Sequence, residues 1–343
     1  MSTSPLSLAQ LQAELGTLLG TLAPDRRVRL LEPTLTPDTL GGVAEVGLEP
    51  PLQQFAARHG LRCTVDFISP LRHFVVTDQS VLRRHPDPNS EAVSDARYGE
   101  AVYRYDEQNG FVRVATERDR YLGWLTADAL SPGVAVPTHR VNTPRAHVYA
   151  EPSVEAPPRF RLSHGVMLQV RSEPGDDWSE VVYGAGQHGF VRRRLLTPRD
   201  EPLPLPRAAD IVAFAHTLLY TPYLWGRGDA WGLDCSGLVQ HVYASFGIAL
   251  PRDADQQANA TEPVARTDMR AADLLFFPGH VAIALDERRF IHANAHRMAV
   301  SIDALDAPGY GQRLAAALTQ VGRVAAVIDK TEPTSVRHAD AAG

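Results

Sequence analysis

Residues 231–240 read WGLDCSGLVQ and place an acid, a cysteine, a serine and a glycine directly before an apolar helical pattern. The cysteine is Cys235, one of only 2 in the 343 residues. An isolated cysteine is most often a buried apolar filler. Whether Cys235 is a filler or a nucleophile therefore depends on its neighbours in the chain.

The residues after Cys235 follow a helical period, with apolar side chains at three- and four-residue spacing: Leu238, Val239, Val242, Tyr243 and Phe246. Gly247 closes the run as a glycine just past a helix end does. We therefore expect a helix that begins close to Cys235, with Asp234 as its N-cap. Because the positive end of a helix dipole favours a thiolate, this placement predicts a lowered pKa for Cys235 and a thiol that is nucleophilic near neutral pH.

A thiol hydrolase also needs a base and a group that orients the base. The stretch FFPGHVAIALDERRFIHANAH, residues 276–296, predicts a hairpin with a charged turn. If the hairpin is centred on Asp286, His280 faces His292 across the two strands, with Cβ atoms about 4.5 to 5.5 Å apart. One imidazole would then hold the tautomer of the other, which would serve Cys235.

The remaining cysteine and other histidines are interpreted as structural. Cys63 lies in an apolar β pattern and is expected in a core, and His216 and His296 receive the same plain interpretation. Because the sequence has no C-x-x-C and no H-E-x-x-H, a closed zinc site lacks ligands. The glycines of WGRGDAWG, residues 225–232, are not followed by a Walker-type lysine. We expect neither a metal nor a cofactor.

The formal net charge of −6 argues against nucleic acid as the main partner. The N-terminal stretch has no basic region before its apolar positions, which are interrupted by Gln and Glu, so it is not typical of a signal peptide. The sequence also has no apolar run of about 18 residues that would span a bilayer. These observations predict a cytoplasmic protein without a membrane span.

Changes in composition and hydrophobic pattern along the chain predict several domains. Residues 1–70 form an α/β region of unclear type, with helices over 5–22 and in PPLQQFAARHG, and a strand in LRCTVDFI. Short β-rich runs follow, and a weak repeat carries Gly123-Trp124 in one copy and Gly189-Phe190 in the other. The repeat predicts two similar barrels, over 71–135 and 136–200.

The proline-rich stretch TPRDEPLPLPR, residues 197–207, is a plausible boundary. After it, residues 208–329 alternate predicted helices and strands, and residues 330–343 form a polar tail. The expected fold class is a multidomain chain with two SH3-like β-barrels and a C-terminal α+β domain.

Three runs, TPYLWGRGDAWGLDCSGLVQHVYASFGIALPRDADQQ, ADLLFFPGHVAIAL and RFIHANAH, resemble the NlpC-type papain-like cysteine peptidases of bacterial cell walls. The barrels resemble the SH3-like domains often fused to such enzymes. The resemblance implies Cys235 as nucleophile, His280 as general base and His292 as the orienting residue. It also implies that Tyr223 lies at the oxyanion side and Arg252 near the cleft.

The sequence departs from the family pattern at two positions. Ala254 stands where the family commonly has serine, and Ala272 stands where it commonly has glycine before Asp-Leu. Neither position belongs to the three predicted catalytic residues. The departures therefore bear on substrate detail more than on activity.

A narrower subgroup with SH3-like modules hydrolyses the γ-D-glutamyl to L-diamino acid bond of murein peptides. By resemblance to it, Asp234 and Ser236 help bind the free α-amine of an N-terminal L-Ala, and Tyr121 and Asp95 of the SH3-like part close the cleft. Because a buried ammonium is costly unless paired, such a site would select released peptides, in cell-wall recycling. Two alternatives stay open: an endopeptidase on intact peptidoglycan stems, and a non-catalytic wall-binding module.

Overall fold

The computed structural model describes residues 6–172 and 177–328, and the chain divides into two compact units. The first unit comprises the chain up to Glu201 together with Leu224–Gly232. The second comprises Pro202–Tyr223 and the chain from Leu233 onward. The predicted tail over 330–343 lies outside the described residues.

The N-terminal part of the first unit packs two helices against a four-stranded sheet. A capping box between Ser7 and Gln10 starts the first helix. The predicted strand LRCTVDFI is two short strands, and Cys63 is half-buried against the core rather than fully within it. The elements are α1 (Leu8–Leu22), β1 (Leu31–Leu35), β2 (Thr39–Glu45), α2 (Glu49–Arg58), β3 (Arg62–Cys63) and β4 (Asp66–Ile68).

Two seven-stranded antiparallel sheets follow in the first unit. The strands of one are β5 (Leu71–Val75), β6 (Gln79–Arg83), β7 (Ala92–Arg97), β8 (Ala101–Gln108), β9 (Phe111–Thr116), β10 (Leu122–Thr126) and β11 (Leu130–Ser131). Those of the other are β12 (His139–Val141), β13 (Arg145–Tyr149), β14 (Pro158–Ser163), β15 (Met167–Ser172), β16 (Trp178–Tyr183), β17 (Gln187–Arg192) and β18 (Leu196–Pro198).

The strand orders are β7-β6-β10-β9-β8-β5-β11 and β14-β13-β17-β16-β15-β12-β18, which are the same order when each set is numbered from its own first strand. The two glycines of the sequence repeat occupy equivalent strands. A Cβ atom on Gly123 in β10 would lie 2.8 Å from the Cβ of Leu82 in β6, and one on Gly189 in β17 would lie 2.4 Å from Val148 in β13. Glycine is required at both positions because two strands approach closely there.

The second unit is an α+β domain whose six-stranded sheet has the order β21-β26-β22-β23-β24-β25. Its strands are β21 (Glu262–Val264), β22 (Leu274–Phe277), β23 (His280–Ala284), β24 (Arg289–Asn294), β25 (Ala299–Ala304) and β26 (Gln320–Arg323). Its helices are α3 (Ala208–His216), α4 (Cys235–Ala244), α5 (Ala254–Asn259) and α6 (Tyr310–Ala317). In the chain, a short ladder of β19 (Gly228–Asp229) and β20 (Gly232–Leu233) comes before α4, and all of it except Leu233 belongs to the first unit.

The central helix α4 packs against β23 and β24. Its apolar face is buried, as the helical spacing predicts, and Gly247 ends it with φ of 76° in the left-handed region that favours glycine. Over residues 6–172 and 177–328, no helix is both long and apolar enough to cross a membrane.

The predicted register of the β23–β24 hairpin is wrong by two residues. Ile283 pairs with Ile291, and Ala284 pairs with Phe290, so the hairpin is centred on residue 287. The cause is a turn displaced by one residue: the Asp286 carboxylate accepts the backbone N–H groups of Arg288 and Arg289, so Asp286 is the first residue of the turn and not its middle.

The register error does not separate the two histidines. A shift by two residues keeps every side chain on its own face of the sheet. His280 and His292 therefore become diagonal rather than direct neighbours, and diagonal positions remain within reach of ring side chains.

The backbone explains why glycine suits position 272. Ala272 has φ of 64° and is buried. Its N–H donates to the carbonyl of Ala284, and its own carbonyl accepts the Tyr243 hydroxyl. Alanine here adopts a conformation that costs about 1 to 2 kcal/mol for a residue with a Cβ atom.

Candidate active site

Cys235 is the first residue of α4, and Asp234 is its N-cap, as predicted. The Asp234 carboxylate accepts the backbone N–H of Gly237 at 2.7 Å. The backbone N–H groups of Ser236 and Val281 donate to the thiol sulfur. Since Val281 follows His280 in β23, the helix end holds the thiol next to the start of that strand.

The prediction of a lowered thiol pKa is wrong. Cys235 is 7% exposed, and burial raises the pKa of its thiol to about 11, with a further rise from the Asp234 carboxylate. A helix terminus contributes only about 0.3 to 1 kcal/mol, and burial of the thiol outweighs it. The thiol is therefore protonated at rest, and attack requires a base.

The structure brings His280 and His292 together. Nε2 of His280 lies 2.8 Å from Nδ1 of His292, at hydrogen-bond distance. Burial and the neighbouring His292 lower the pKa of His280 to about 3, and burial lowers the pKa of His292 as well. Both rings are therefore neutral near pH 7, and His280 can accept a proton.

Asp303 joins this pair and was missed from the sequence. Its Oδ2 lies 3.0 Å from Nε2 of His292, and Arg297 donates to its Oδ1 at 2.8 Å. In β25, Ser301 pairs with His292, so Asp303 lies two residues further along on the same face. A second hairpin after His292, with a carboxylate at this diagonal position, is the sequence signal that would have indicated it.

Tyr223 lies near the nucleophile. Burial raises the pKa of its hydroxyl to about 12, and the charges of Cys235 and Asp234 contribute. The hydroxyl is therefore protonated near pH 7 and can donate a hydrogen bond. Its backbone N–H donates to the carbonyl of Met298 at 3.0 Å, which attaches this segment to the turn before β25.

A buried ion pair supports the end of α4. Arg252 donates to both carboxylate oxygens of Asp234, at 3.1 and 2.5 Å, and to the Ser236 hydroxyl at 2.9 Å. The side chains of Arg252 and Asp234 are 1% and 8% exposed. Gln257 of α5 donates to the carbonyl of Ser236 at 3.0 Å. Arg252 thus acts on the site through Asp234 and Ser236.

The other two predicted binding residues belong to the first unit. Tyr121 is buried in the core of the β5–β11 sheet, and its backbone N–H donates to Thr116. Asp95 is fully buried and accepts from Gln79 at 2.8 Å and from the N–H of Gly228 at 2.9 Å. Within that unit, both residues have structural partners that the sequence did not indicate.

Two further observations concern metal binding and the position of His296. Within the described parts of the chain, no three His, Cys, Asp or Glu side chains are arranged to hold a metal ion. His296 stacks on Tyr310 with ring centroids 4.2 Å apart, and Tyr310 also stacks on His292 at 6.1 Å. His296 is therefore next to the histidine pair, although only a structural role was predicted for it.

A nucleophile at a helix N-terminus, beside two histidines on adjacent strands, has the residue types and order of a papain-like peptidase. Comparison with protein families agrees. Residues 220–319 match the NlpC/P60 family, and residues 82–130 match the bacterial dipeptidyl-peptidase Sh3 domain.

Individual proteins also match over most of the chain. Dipeptidyl-peptidase 6 of Lysinibacillus sphaericus is 29% identical over 265 residues, which cover 72% of this chain and 97% of that protein. A gamma-D-glutamyl-L-lysine dipeptidyl-peptidase of Bacillus cereus is 27% identical over 247 residues, 65% of this chain and 74% of that protein.

The crystal structure of an NlpC/P60 family protein from Bacillus cereus has a TM-score of 0.63 and 23% identity, and the match covers 74% of this chain and 99% of that one. This likeness establishes a shared fold. The chain belongs to the NlpC/P60 family and is a multidomain peptidase with an SH3 domain and a papain-like domain.

Proposed function

We propose that this peptidase hydrolyses the γ-D-glutamyl to L-diamino acid bond of murein peptides, with Cys235 as nucleophile, His280 as general base and His292 as the orienting residue. The hydrogen bond of 2.8 Å between His280, at the start of the strand next to the thiol, and His292 of the adjacent strand carries this proposal. The bond specificity is supported by the names of relatives such as the Bacillus cereus gamma-D-glutamyl-L-lysine dipeptidyl-peptidase.

The reaction begins with a neutral thiol and a neutral imidazole, because burial raises the pKa of Cys235 and lowers that of His280. His280 takes the thiol proton as the sulfur attacks the γ-carbonyl carbon. The negative charge that develops on the carbonyl oxygen is stabilised by the backbone N–H of Cys235 and by the Tyr223 hydroxyl.

The tetrahedral intermediate collapses when His280 gives its proton to the leaving amine of the diamino acid. A thioester to Cys235 remains. Water, deprotonated by His280, attacks the thioester carbonyl and releases the L-Ala-D-Glu dipeptide with the thiol restored. Each proton moves between His280 and a reacting atom, so no other acid or base is required.

The proposed preference for a free N-terminal L-Ala rests on Asp234 and Ser236, which flank the nucleophile. Arg252 already pairs with the Asp234 carboxylate, so the pair carries no net charge. Recognition of an ammonium by this pair therefore depends on hydrogen-bond geometry more than on charge. Tyr121 and Asp95 remain predicted cleft residues, and recycling of released peptides in the cytoplasm remains part of the proposal.

The test is mass spectrometry of the full chain incubated with L-Ala-γ-D-Glu-L-Lys and with its N-acetylated form. We expect cleavage of the free peptide between D-Glu and L-Lys, and at least a tenfold slower reaction of the acetylated one. The Cys235→Ala variant should retain its fold and lose turnover, and retained turnover would contradict the mechanism.

Other outcomes separate the alternatives. Equal cleavage of both peptides, or release of fragments from intact peptidoglycan, would refute the amine preference and favour an endopeptidase on attached stems. Absence of cleavage of L-Lys and meso-diaminopimelate peptides, together with sedimentation on purified cell walls, would favour a wall-binding module.

We also propose that residues 136–200 form a second SH3-like barrel. The support is the shared strand order of the two seven-stranded sheets and the equivalent positions of Gly123 and Gly189. A Gly189→Val substitution should then disturb the second barrel as Gly123→Val disturbs the first, which amide hydrogen exchange of each region would measure.

A further inference from the structure

The histidine pair ends on a carboxylate whose charge state is defined by its neighbours. Asp303 lies 3.0 Å from Nε2 of His292 and accepts from Arg297. These two partners hold the pKa of Asp303 well below its usual range, despite burial. An ionised carboxylate only accepts hydrogen bonds, so Nε2 of His292 must carry a proton.

This assignment determines which ring nitrogen carries the proton in both His292 and His280. A neutral imidazole with a proton on Nε2 has a free lone pair on Nδ1. Nδ1 of His292 therefore accepts, and Nε2 of His280, 2.8 Å away, must donate. The neutral His280 ring then has its lone pair on Nδ1.

We propose that Asp303 is a positioning residue that fixes the tautomer of His292 and thereby makes Nδ1 of His280 the atom that accepts the Cys235 proton. The inference rests on the proposed function, in which His280 is the base. With the opposite tautomers, His280 would present an N–H to the thiol and could not accept its proton.

Arg297 determines the orientation of a neutral amide placed at position 303. It donates to Oδ1 at 2.8 Å and to Oδ2 at 3.3 Å. In Asp303→Asn, the shorter of the two Arg297 contacts favours the amide oxygen in the place of Oδ1. The amide NH₂ then takes the place of Oδ2 and faces Nε2 of His292, and the Ser301 hydroxyl, which donates to Oδ2 at 3.3 Å in the wild type, turns to accept from it. That ring must then accept at Nε2 and carry its proton on Nδ1, which inverts both tautomers.

The groups that face His292 come from several elements. They are His280 of β23, Asp303 of β25, Arg297 and His296 of the preceding turn, and Tyr310 of α6. Arg297 and His296 both contribute to the lowered pKa of His292. The pH dependence of kcat therefore reflects all of these groups, and it is interpreted only together with the tautomer of His292.

The experiment compares full-chain Asp303→Asn with wild type and with Asp306→Asn, an exposed acid just beyond the same strand. With L-Ala-γ-D-Glu-L-Lys, we expect kcat to fall about 10- to 100-fold in Asp303→Asn, with KM within about twofold. Adding Arg297→Met should restore part of kcat, because the amide can then turn its oxygen to His292. Asp306→Asn should match wild type.

Nitrogen NMR of histidine-labelled wild-type and Asp303→Asn protein tests the tautomer without substrate. We expect the proton of His292 on Nε2 in wild type and on Nδ1 in Asp303→Asn. A wild-type proton on Nδ1, or a loss of kcat without a change of tautomer, would overturn the inference. If wild type shows the expected tautomer but cleaves no peptide, the proposed function fails while the assignment of Asp303 as tautomer-fixing residue stands.

Discussion

Replacement of Arg252 by methionine tests whether the buried ion pair beside the nucleophile supports the second unit. Methionine keeps most of the side-chain volume and removes the donors to Asp234 and Ser236. The side chains of Arg252 and Asp234 are 1% and 8% exposed, so water cannot fully replace the donors that Arg252 supplies. Removing one partner of a buried pair costs roughly 3 to 5 kcal/mol.

Protonation sets an upper limit on this cost. An ordinary aspartic acid has a pKa of about 3.9, so protonating it costs about 4.2 kcal/mol at pH 7 and about 1.5 kcal/mol at pH 5. The variant can fold with a protonated Asp234 at that cost. Its folded state then binds a proton that the unfolded chain lacks, so its stability relative to wild type rises as pH falls. We expect a loss of about 3 to 4 kcal/mol at pH 7 and about 1.5 kcal/mol at pH 5.

Amide hydrogen exchange of the α4 peptides is the suitable assay. All 4 tryptophans belong to the first unit, so amide exchange of α4 itself is the more direct measure of this helix. Arg288→Met is the matched control, since its pair with Asp306 is exposed and is worth less than about 1 kcal/mol. Asp234→Asn should make Arg252→Met less costly in a double-mutant cycle. A loss under about 1 kcal/mol at pH 7, or one that does not change with pH, would refute the reasoning.

Three further predictions follow from the site and its strand. Because burial raises the pKa of Cys235 to about 11, alkylation by iodoacetamide should be slow at pH 7 and rise about tenfold per pH unit up to about pH 10; a rate constant that is flat from pH 5 to 8 would indicate a resting thiolate instead. Tyr223→Phe should lower kcat about 10- to 100-fold while leaving alkylation of Cys235 unchanged, and an unchanged kcat would remove the hydroxyl from the oxyanion site. Ala272→Gly should relieve about 1 to 2 kcal/mol of backbone strain and should lose about 0.8 kcal/mol because the buried methyl group is removed. The free energy of unfolding, measured by thermal unfolding, should therefore increase by up to about 1 kcal/mol. A clear loss of stability would contradict this prediction.

The parts of the site that follow local rules were predictable from the sequence. The start of α4 and its Asp234 cap follow from residue type and helical period, and both agree with the structure. The strands around His280 and His292 follow from apolar alternation. These features depend on residues that are close in the chain.

The errors have causes that a local pattern does not contain. The hairpin register depended on two backbone N–H groups that the Asp286 side chain accepts in the turn. The pKa of Cys235 depended on burial by elements far away in the chain. Asp303 was missed because its relation to His292 requires the register of a second hairpin.

Both carboxylates next to the catalytic groups are paired with arginine. Arg252 holds Asp234 beside the thiol, and Arg297 holds Asp303 beside the histidine pair. With a neutral thiol and neutral rings, the site carries no net charge at rest. An unpaired carboxylate beside Cys235 would raise the thiol pKa further and oppose proton transfer, because the negative charge would repel the developing thiolate.

This charge balance also limits how a substrate ammonium can be recognised. A site without net charge gains little from long-range attraction of a cation, and a salt dependence of KM should therefore be small. Discrimination between a free and an acetylated amine would come from short hydrogen bonds and from the space that an acetyl group needs. We therefore expect the two peptides to differ by a similar factor at 0.05 and 0.5 M salt, and a ratio that falls steeply with salt would show that unpaired charge recognises the amine.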